Sequence, residues 1–180
     1  DPESAAYNMS FLLRLRGRLD AQALGAALDD LAARHASLRT VLPERDGRPV
    51  ERGLPPAPVP LPTGDLSGLP DDARTRAARD LAAAESRRPF DLARGPLFRA
   101  ALARVADDEH LLLLALHHAV GDGWSVGVLF GDLGALYAAR VEGRAPALPE
   151  PRITYADLAV WQRGWLAGEV LERQVAFWRE

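Results

Sequence analysis

The sequence predicts an α/β (α+β) fold of two layers, in which a mixed sheet is covered by helices. Residues 97–105 and 110–116 indicate two strands joined by the acidic turn Asp107-Asp108, which predicts an antiparallel hairpin. The second of these strands is apolar on both faces, which is typical of the centre of a covered sheet. Stretches with helical apolar spacing lie on both sides of this hairpin, so the chain mixes hairpins with helices.

The first elements of the chain are predicted from its apolar spacing and its turn residues. Residues 11–16 indicate a strand, and Asp20 is a suitable N-cap for a helix that continues to about His35. Residues 38–42 predict a second strand. The segment 45–48, Arg-Asp-Gly-Arg, predicts a hairpin turn that leads into another short strand.

The middle and the end of the chain add a proline-rich segment and further helices. Residues 53–68 are rich in Pro and Gly and predict a surface loop or an edge strand. A second helix begins at Pro70, with acidic residues in its first turn, and ends before Pro89. Helical spacing returns after Gly123, and a proline-rich loop separates that helix from two last helices, the first at 155–166.

The composition is that of a globular domain and excludes several classes of function. The 180 residues are 48% hydrophobic and 26% charged, with a formal net charge of -3, which suits one domain or at most two small ones. The absence of cysteine excludes thiol nucleophiles, disulfides and cysteine-ligated zinc, and the absence of lysine excludes a lysine base. The mildly acidic balance argues against nucleic acid, and the longest aliphatic run, 111–116, is too short for a membrane span. Because no signal-peptide pattern opens the sequence, we expect a cytoplasmic location.

The strongest chemical signal is a histidine doublet where the apolar strand ends. His117 and His118 are followed by Asp122 between two glycines, Gly121 and Gly123, and then by an amphipathic helix. Adjacent residues at a strand end point to opposite faces, so we expect one ring to be buried against the covering helices and the other to face an opening. An imidazole near its ordinary pKa can accept a proton at neutral pH, and Asp122 is close enough to hold the turn or to orient a ring. The doublet therefore favours a functional role over a structural one.

Two other interpretations of the same residues fail. Residues 123–127 match the G-x-S-x-G nucleophile elbow, but the residues from His117 to Gly123 separate the serine from the strand, and no histidine follows His118. Metal binding through His118 and Asp122 would supply too few ligands for zinc or iron, so no metal site is predicted.

Four short motifs, taken together, are specific to one protein family. Residues 117–123 are HHAVGDG, residues 34–40 are RHASLRT, residues 155–162 are YADLAVWQ, and PFDL at 89–92 precedes GPL at 95–97. In this order they resemble HHxxxDG, RHExLRT, YxDYAVWQ and PFDL-x-x-GPL of the condensation domains of nonribosomal peptide synthetases. The resemblance extends from about Tyr7 to Glu180. HHxxxDG alone is shared with acyltransferases of the chloramphenicol acetyltransferase type.

The resemblance implies one lobe of a chloramphenicol acetyltransferase-like fold, with the active site in a tunnel between two lobes. It also implies acyl transfer, in which an amine on one carrier-bound aminoacyl group attacks a thioester on another carrier and forms a peptide bond. On this basis His118 is the catalytic residue, acting as a base or positioning the amine. The backbone amide of Gly123 is expected to polarise the thioester carbonyl.

Further residues are expected to support or flank this site because of the same resemblance. Asp122 is expected to be structural and paired with an arginine, for which Arg39 is the first candidate and Arg34 the second. His117 is expected to support the catalytic histidine. Trp124 and Ser125 are expected to flank the substrate channel.

The family continues beyond the last residues of this sequence into a whole second lobe. Residues 1–180 are therefore expected to be an N-terminal lobe that has little or no condensation activity alone. The expected partners are acyl or peptidyl carrier proteins, the missing C-terminal lobe and an adjacent adenylation domain. No tightly bound cofactor is expected, since phosphopantetheine arrives on the carrier proteins. Two alternatives stay open: a non-catalytic lobe that binds carrier proteins, and an acyltransferase that uses coenzyme A.

Overall fold

A four-stranded mixed sheet lies at the centre of the protein, which a computed structural model describes over residues 4–179. The strands are β1 (Asn8–Arg16), β2 (Thr40–Val41), β3 (Glu44–Arg45), β4 (Arg48–Pro49), β5 (Arg52–Gly53), β6 (Thr63–Asp65), β7 (Phe98–Ala106) and β8 (Glu109–His117). The order in the central sheet is β1-β8-β7-β6, where β6 is parallel to β7 and the other neighbours are antiparallel. The helices are α1 (Ala21–Arg34), α2 (Asp71–Arg87), α3 (Gly123–Glu142), α4 (Tyr155–Trp165) and α5 (Gly168–Phe177). The predicted fold class, a mixed sheet covered by helices, is confirmed.

The central strand of the sheet is β8, as its uninterrupted apolar sequence predicts. It pairs along its whole length with β1 on one side and forms the predicted hairpin with β7 on the other. Every residue from Leu111 to Leu116 is buried. A strand that is covered on both faces has no side that needs polar residues, which explains why its sequence does not alternate.

One face of the sheet is covered by α1 and α3, which pack against each other. Asp20 begins α1 as predicted, because its carboxylate accepts the backbone N–H of Ala23 at 2.9 Å. The apolar faces of the two helices and the sheet form one buried core, whose members include Leu28, Leu31, Leu112, Leu114, Leu116, Leu129 and Leu133. This core fixes where β8 ends and where α3 begins.

The opposite face of the sheet is contacted by α2, next to β1 and β8. Asn8 is the cross-strand partner of His117, so the two side chains lie on the same face. The side-chain amide of Asn8 donates to the carbonyl oxygens of Ser86 and Arg88, both at 2.9 Å, at the C-terminal end of α2. The end of α2 is therefore attached to the strand beside the histidine doublet.

The segment at 38–42 differs from its prediction. A 3-10 turn spans Ala36–Arg39 and only the two residues of β2 are extended, so the predicted strand is wrong over its first half. The reason is a local hydrogen-bond network, in which the Arg39 guanidinium donates to carbonyls near the end of α1 and the Thr40 hydroxyl donates to the Ala36 carbonyl at 3.1 Å. These bonds shorten the chain locally and exclude an extended conformation.

The predicted turn and the proline-rich segment agree with the structure. Asp46 and Gly47 have φ angles of 52° and 74° and join β3 to β4, as the Asp-Gly sequence predicts. In the proline-rich segment, β6 forms a short parallel edge strand along β7. The strand itself contains no proline, since the prolines of the segment lie before it, between Pro55 and Pro62.

The chain divides into two compact units, one up to Pro149 and one from Glu150 onward. In the second unit α4 begins with a capping box, in which Thr154 and Asp157 each accept a backbone hydrogen bond from the other. Trp161 and Trp165 stack within this helix, with ring centroids 5.6 Å apart. In the described part of α4 and α5 no residue is buried. Among residues 4–179, no helix has the length and apolar character that a membrane crossing requires.

Candidate active site

The histidine doublet is held by the backbone of both neighbouring strands. His117 is the last residue of β8, and its N–H donates to the Leu97 carbonyl at 3.0 Å. The N–H of His118 donates to the Tyr7 carbonyl, on the other side of the strand, at 2.9 Å. Because one residue is bound from each side, the backbone of both histidines is held by the residues that directly precede β7 and β1.

The ring of His117 is half-buried between two aromatic side chains. Tyr7 lies 6.0 Å away, and Phe90 lies 6.2 Å away in an edge-on arrangement, both measured between ring centroids. The Nδ1 atom accepts the backbone N–H of Ala119 at 3.1 Å, which assigns the proton of the neutral ring to Nε2. Burial, and secondly the neighbouring His118, lower the pKa of His117 below its ordinary value. The structure therefore keeps this ring neutral near pH 7.

His118 is exposed and lines an open cavity of about 650 Å³. The other residues of this His118 cavity are Ser4, Tyr7, Phe90, Leu92, His117 and Ala119. The expected division between a buried ring and a ring that faces an opening holds only in part, because His117 is half-buried and lines the same cavity as His118. The packed ring, however, rests on Tyr7 and Phe90 and not on the helices that cover the sheet.

Asp122 is the N-cap of α3. Its Oδ1 atom accepts the backbone N–H of Ser125 at 2.8 Å and the hydroxyl of the same residue at 2.6 Å. These two hydrogen bonds lower the pKa of the Asp122 carboxyl. The sequence carried a signal for this role, since an Asp that comes directly before a helical stretch is a typical N-cap.

The predicted pairing of Asp122 with an arginine is wrong for both candidates within the described residues. The Arg39 guanidinium donates to the carbonyls of Ala32 and Leu54, and at 3.3 Å to that of Ala33. The carbonyls at the end of a helix have no partner within it, so an arginine one turn further on satisfies them. Arg39 thus holds the end of α1 and does not reach the loop of the doublet.

The second candidate, Arg34, connects α1 to α3 instead. Its Nε donates to Oδ2 of Asp132 at 2.9 Å, and its Nη2 donates to the Pro149 carbonyl at 2.5 Å. His35 places Nε2 at 2.8 Å from the same Asp132 oxygen. The side chains of Arg34 and Asp132 are each only 15% exposed, so this pair is largely shielded from solvent. The RHASLRT motif therefore supports the helices below the site.

The two glycines beside Asp122 have different roles. A Cβ on Gly121 would lie 2.7 Å from Cδ1 of the buried Leu116, so a close approach requires glycine here. A Cβ on Gly123 would meet nothing within 4 Å. As the first residue of α3, Gly123 carries a backbone N–H that no carbonyl within the helix can accept. That amide is a suitable donor to a developing oxyanion.

Trp124 and Ser125 line a second cavity, which shares no lining residue with the His118 cavity. Its walls come from His35, from the loop at Val120 and from the start of α3. Trp124 is 88% exposed, so it is not part of the core. The structure therefore does not bring Trp124 and Ser125 into one cavity with His118.

Three side chains around the doublet were not singled out from the sequence. Asn8 holds the end of α2, Phe90 packs on His117, and Arg99 stacks on Phe90 at 3.7 Å from its ring centroid. Phe90 belongs to a motif that was noted, but the sequence carries no signal for Asn8 or Arg99. Within residues 4–179, no group of three potential ligands is placed to hold a metal ion.

Comparison with known proteins shows the family to which this chain belongs. The family model described as "Condensation domain" matches residues 1–180, and the chain belongs to that family. It is 45% identical, over 99% of its length, to one of the linear gramicidin synthase proteins of Brevibacillus parabrevis. Among solved structures, SgcC5 of Streptomyces globisporus matches with a TM-score of 0.85 and 32% identity, covering 99% of this chain and 40% of that one. The X-domain of teicoplanin biosynthesis, in complex with OxyB, matches with a TM-score of 0.85 and 36% identity, covering 99% of this chain and 39% of that one.

The chain is much shorter than the proteins it matches. It spans 2% of the gramicidin synthase protein and about two-fifths of each of the two solved chains. The match to the family model confirms the family that the four motifs resemble.

Proposed function

We propose that this chain is the N-terminal lobe of a condensation domain that forms a peptide bond between two carrier-bound substrates. The observation that carries the proposal is the placement of His118, an exposed imidazole on a loop that two strands hold, beside a cavity and just before the N-terminus of α3. The proposed donor is an acyl or peptidyl thioester, and the proposed acceptor is the amine of an aminoacyl thioester.

The reaction requires a base and a donor to an oxyanion. The acceptor amine attacks the thioester carbonyl carbon, so a C–N bond forms while the carbonyl oxygen becomes negative. His118 takes a proton from the attacking nitrogen, or holds the amine in line, through its exposed imidazole. The tetrahedral intermediate then expels the donor sulfur as the C–S bond breaks, and the thiolate takes up the proton. The product is an amide on the acceptor carrier and a free thiol on the donor carrier.

The residues around His118 suit these steps. His117 is kept neutral by its packing, so it adds no second positive charge beside the base. The Gly123 amide lies at the positive end of the dipole of α3, where a negative oxygen is stabilised. Asp122 holds this end of the helix through Ser125.

The proposed partners are carrier proteins whose phosphopantetheine arms deliver both thioesters, together with an adjacent adenylation domain. No tightly bound cofactor is part of the proposal, because the chemistry of the thioester comes with the substrate. A cytoplasmic location stays a prediction from the sequence.

We further propose that a second lobe covers part of this chain. Large apolar side chains in α4, at the end of α5 and directly after it are exposed, namely Tyr155, Val160, Trp161, Phe177 and Trp178, with exposed fractions of 59% to 81%. Exposed apolar patches of this kind mark interaction surfaces. The solved relatives contain more than half of their length beyond the matched region, which supplies an occupant for this surface.

The test of the catalytic proposal is His118→Ala in the complete domain, with formation of a dipeptide from two loaded carrier proteins as the readout. We expect kcat to fall by about a hundredfold to ten-thousandfold, which is the usual contribution of general acid–base catalysis. His110→Gln is the matched control, because His110 lies at the other end of β8 and lines no part of the His118 cavity. Dipeptide formation that is unchanged in the His118 variant would end the catalytic assignment.

The isolated 180-residue chain is expected to form little or no dipeptide, because a tunnel between two lobes needs both walls. Clear peptide-bond formation by this chain alone would contradict that expectation. Replacing the donor carrier by the coenzyme A thioester of the same acyl group tests the related alternative. Equal rates with coenzyme A would favour a stand-alone acyltransferase.

A second candidate function is a binding lobe without chemistry. The observation in its favour is the structural similarity to the teicoplanin X-domain, which was solved as a complex with OxyB. The intact series of His118, Asp122 and Gly123 favours the enzyme. Tight binding of a carrier protein by a complete domain that forms no amide bond would favour the binding lobe.

A further inference from the structure

Arg99 of β7 connects the end of α2 to the strand below it. Its side chain is only 14% exposed. Its Nε donates to Oε2 of Glu85 at 3.0 Å, its Nη1 donates to the Pro89 carbonyl at 3.0 Å, and its Nη2 donates to the Arg88 carbonyl at 2.8 Å. One guanidinium therefore holds both the last turn of α2 and the residues that follow it.

Arg99 and Asn8 act on the same segment from both sides of β8. Asn8 is the cross-strand partner of His117 and Arg99 is the partner of Ala115, so all four side chains lie on one face of the sheet. The two polar side chains share the carbonyl of Arg88 as an acceptor. Carbonyls at the end of a helix need such partners from elsewhere in the fold. The exit of α2 is thus positioned by the strands that flank the doublet.

The contact that links Arg99 to the site is Phe90. The guanidinium lies 3.7 Å from the centroid of the Phe90 ring, within the range of a cation–π interaction. Phe90 is 3% exposed, meets the ring of His117 edge-on and lines the His118 cavity. Any shift of Phe90 would therefore move the ring that packs beside the proposed base.

We propose that Arg99 is a positioning residue of the condensation site, which acts through Phe90 to fix the ring of His117 and the adjacent wall of the His118 cavity. The inference rests on the proposed function of His118 for its catalytic consequence. Its structural part, the chain of contacts from Arg99 to Phe90 to His117, is independent of that function.

The geometry distinguishes arginine from other cations at this position. Three donor groups of a planar fork reach three acceptors while the face of the fork covers an aromatic ring. A lysine ammonium can supply the charge but not the planar arrangement. We therefore expect Arg99→Lys to change the accessibility of His117 and kcat almost as much as Arg99→Met does.

The test measures the accessibility of individual histidines in the complete domain. Diethyl pyrocarbonate acylates neutral imidazoles, and the modified sites are assigned by mass spectrometry of peptides. In Arg99→Met we expect the labelling rate of His117 to rise severalfold while that of His110, on the same strand, is unchanged. We also expect kcat for dipeptide formation to fall by about tenfold to a hundredfold, because small misplacements of catalytic groups have effects of this size.

Arg104→Met is the matched control, because Arg104 lies on the same strand opposite His110 and pairs with Asp65 at 3.2 Å, away from Phe90. It should leave the labelling of His117 and kcat unchanged. Phe90→Leu is a second variant that leaves Arg99 intact and removes the linking ring. It should increase His117 labelling as Arg99→Met does, and the double variant should show no further increase.

The proposal is overturned if His117 labelling in Arg99→Met is unchanged, or if it rises together with that of His110, which would indicate general loosening. If Arg99→Met does not fold, Arg99→Lys and Phe90→Leu decide by the same criterion. The labelling rate of His117 is measured without any catalytic turnover by the domain. An active His118→Ala variant would therefore refute the proposed function without altering the outcome for Arg99.

Discussion

Asp122 and Ser125 are joined by two hydrogen bonds at the first turn of α3, from the backbone N–H at 2.8 Å and from the hydroxyl at 2.6 Å. The carboxylate thereby fixes the end of the helix that follows the histidine doublet. This local bond replaces the long-range ion pair that the family resemblance led us to expect.

We predict that Asp122→Asn retains most of the stability and activity of the complete domain, whereas Asp122→Ala loses part of both. Asparagine is as good an N-cap as aspartate, while alanine cannot accept the Ser125 amide. Thermal unfolding and dipeptide formation, measured on both variants, check this. Equal damage from the two substitutions would contradict the N-cap role and would favour a need for the negative charge.

Ser125→Ala isolates one of the two bonds. Because the hydrogen bonds from Ser125 lower the pKa of Asp122, removal of the hydroxyl should raise that pKa toward its ordinary value. The carboxyl titration of Asp122, followed by NMR, measures the change. Asp157 is the internal control, since its pKa is lowered by hydrogen bonds from Thr154 instead and should not move.

The stability of the fold should depend on pH through His117. Its pKa is lower in the folded state than the ordinary value of 6.5, so the unfolded chain binds more protons in this range. The corresponding stability is present above pH 6.5 and is lost as the pH falls through the folded-state pKa. Denaturant unfolding between about pH 7 and 5 should show this decline, and His117→Phe should reduce it. A His118→Gln variant should keep most of this decline, because burial is the larger cause of the lowered pKa of His117 and the neighbouring His118 the smaller one.

The two motif glycines form a matched pair of tests. Gly121→Ala should lower the free energy of unfolding by about 1–3 kcal/mol, because the new Cβ would lie 2.7 Å from Cδ1 of the buried Leu116 and would force that side chain to move. Gly123→Ala should leave the stability unchanged, because nothing lies within 4 Å of the added carbon. A loss of activity in Gly123→Ala at unchanged stability would support the proposed contact of its amide with substrate. Normal stability of Gly121→Ala would contradict the close approach.

The link between α1 and α3 should be a strong contributor to stability. Arg34→Met leaves Asp132 largely buried without its arginine, and we expect a loss of about 1.5–3 kcal/mol in the free energy of unfolding. The matched control is Arg140→Met, which removes a second arginine that pairs between the same helices, with Asp30, but in a more exposed place. Its effect should be clearly smaller, since solvent screens exposed pairs. A double-mutant cycle of Arg34→Met with Asp132→Asn would reveal whether the two side chains act as a unit.

Much of the fold could be predicted because it depends on local patterns. The uninterrupted apolar run at Leu111–Leu116 identified the central strand, and Asp46-Gly47 identified a tight turn. The prediction of a strand at 38–42 is wrong over its first half because the conformation there depends on Arg39. The guanidinium of Arg39 donates to a carbonyl near the end of α1 and to the carbonyl of Leu54. A pattern of hydrophobicity carries no information on where an arginine finds its acceptors.

The sequence by itself determined the order of the elements, the histidine doublet at the end of β8 and the motifs that define the family, because these features are encoded over a few neighbouring residues. The tertiary structure decided which imidazole is packed and which is exposed, that Arg34 reaches Asp132 and not Asp122, and that Arg99 holds Phe90 against His117. The physical reason is that long charged side chains choose among many acceptors of similar chemistry. Only the packing of helices on the sheet brings one of those acceptors within hydrogen-bond distance.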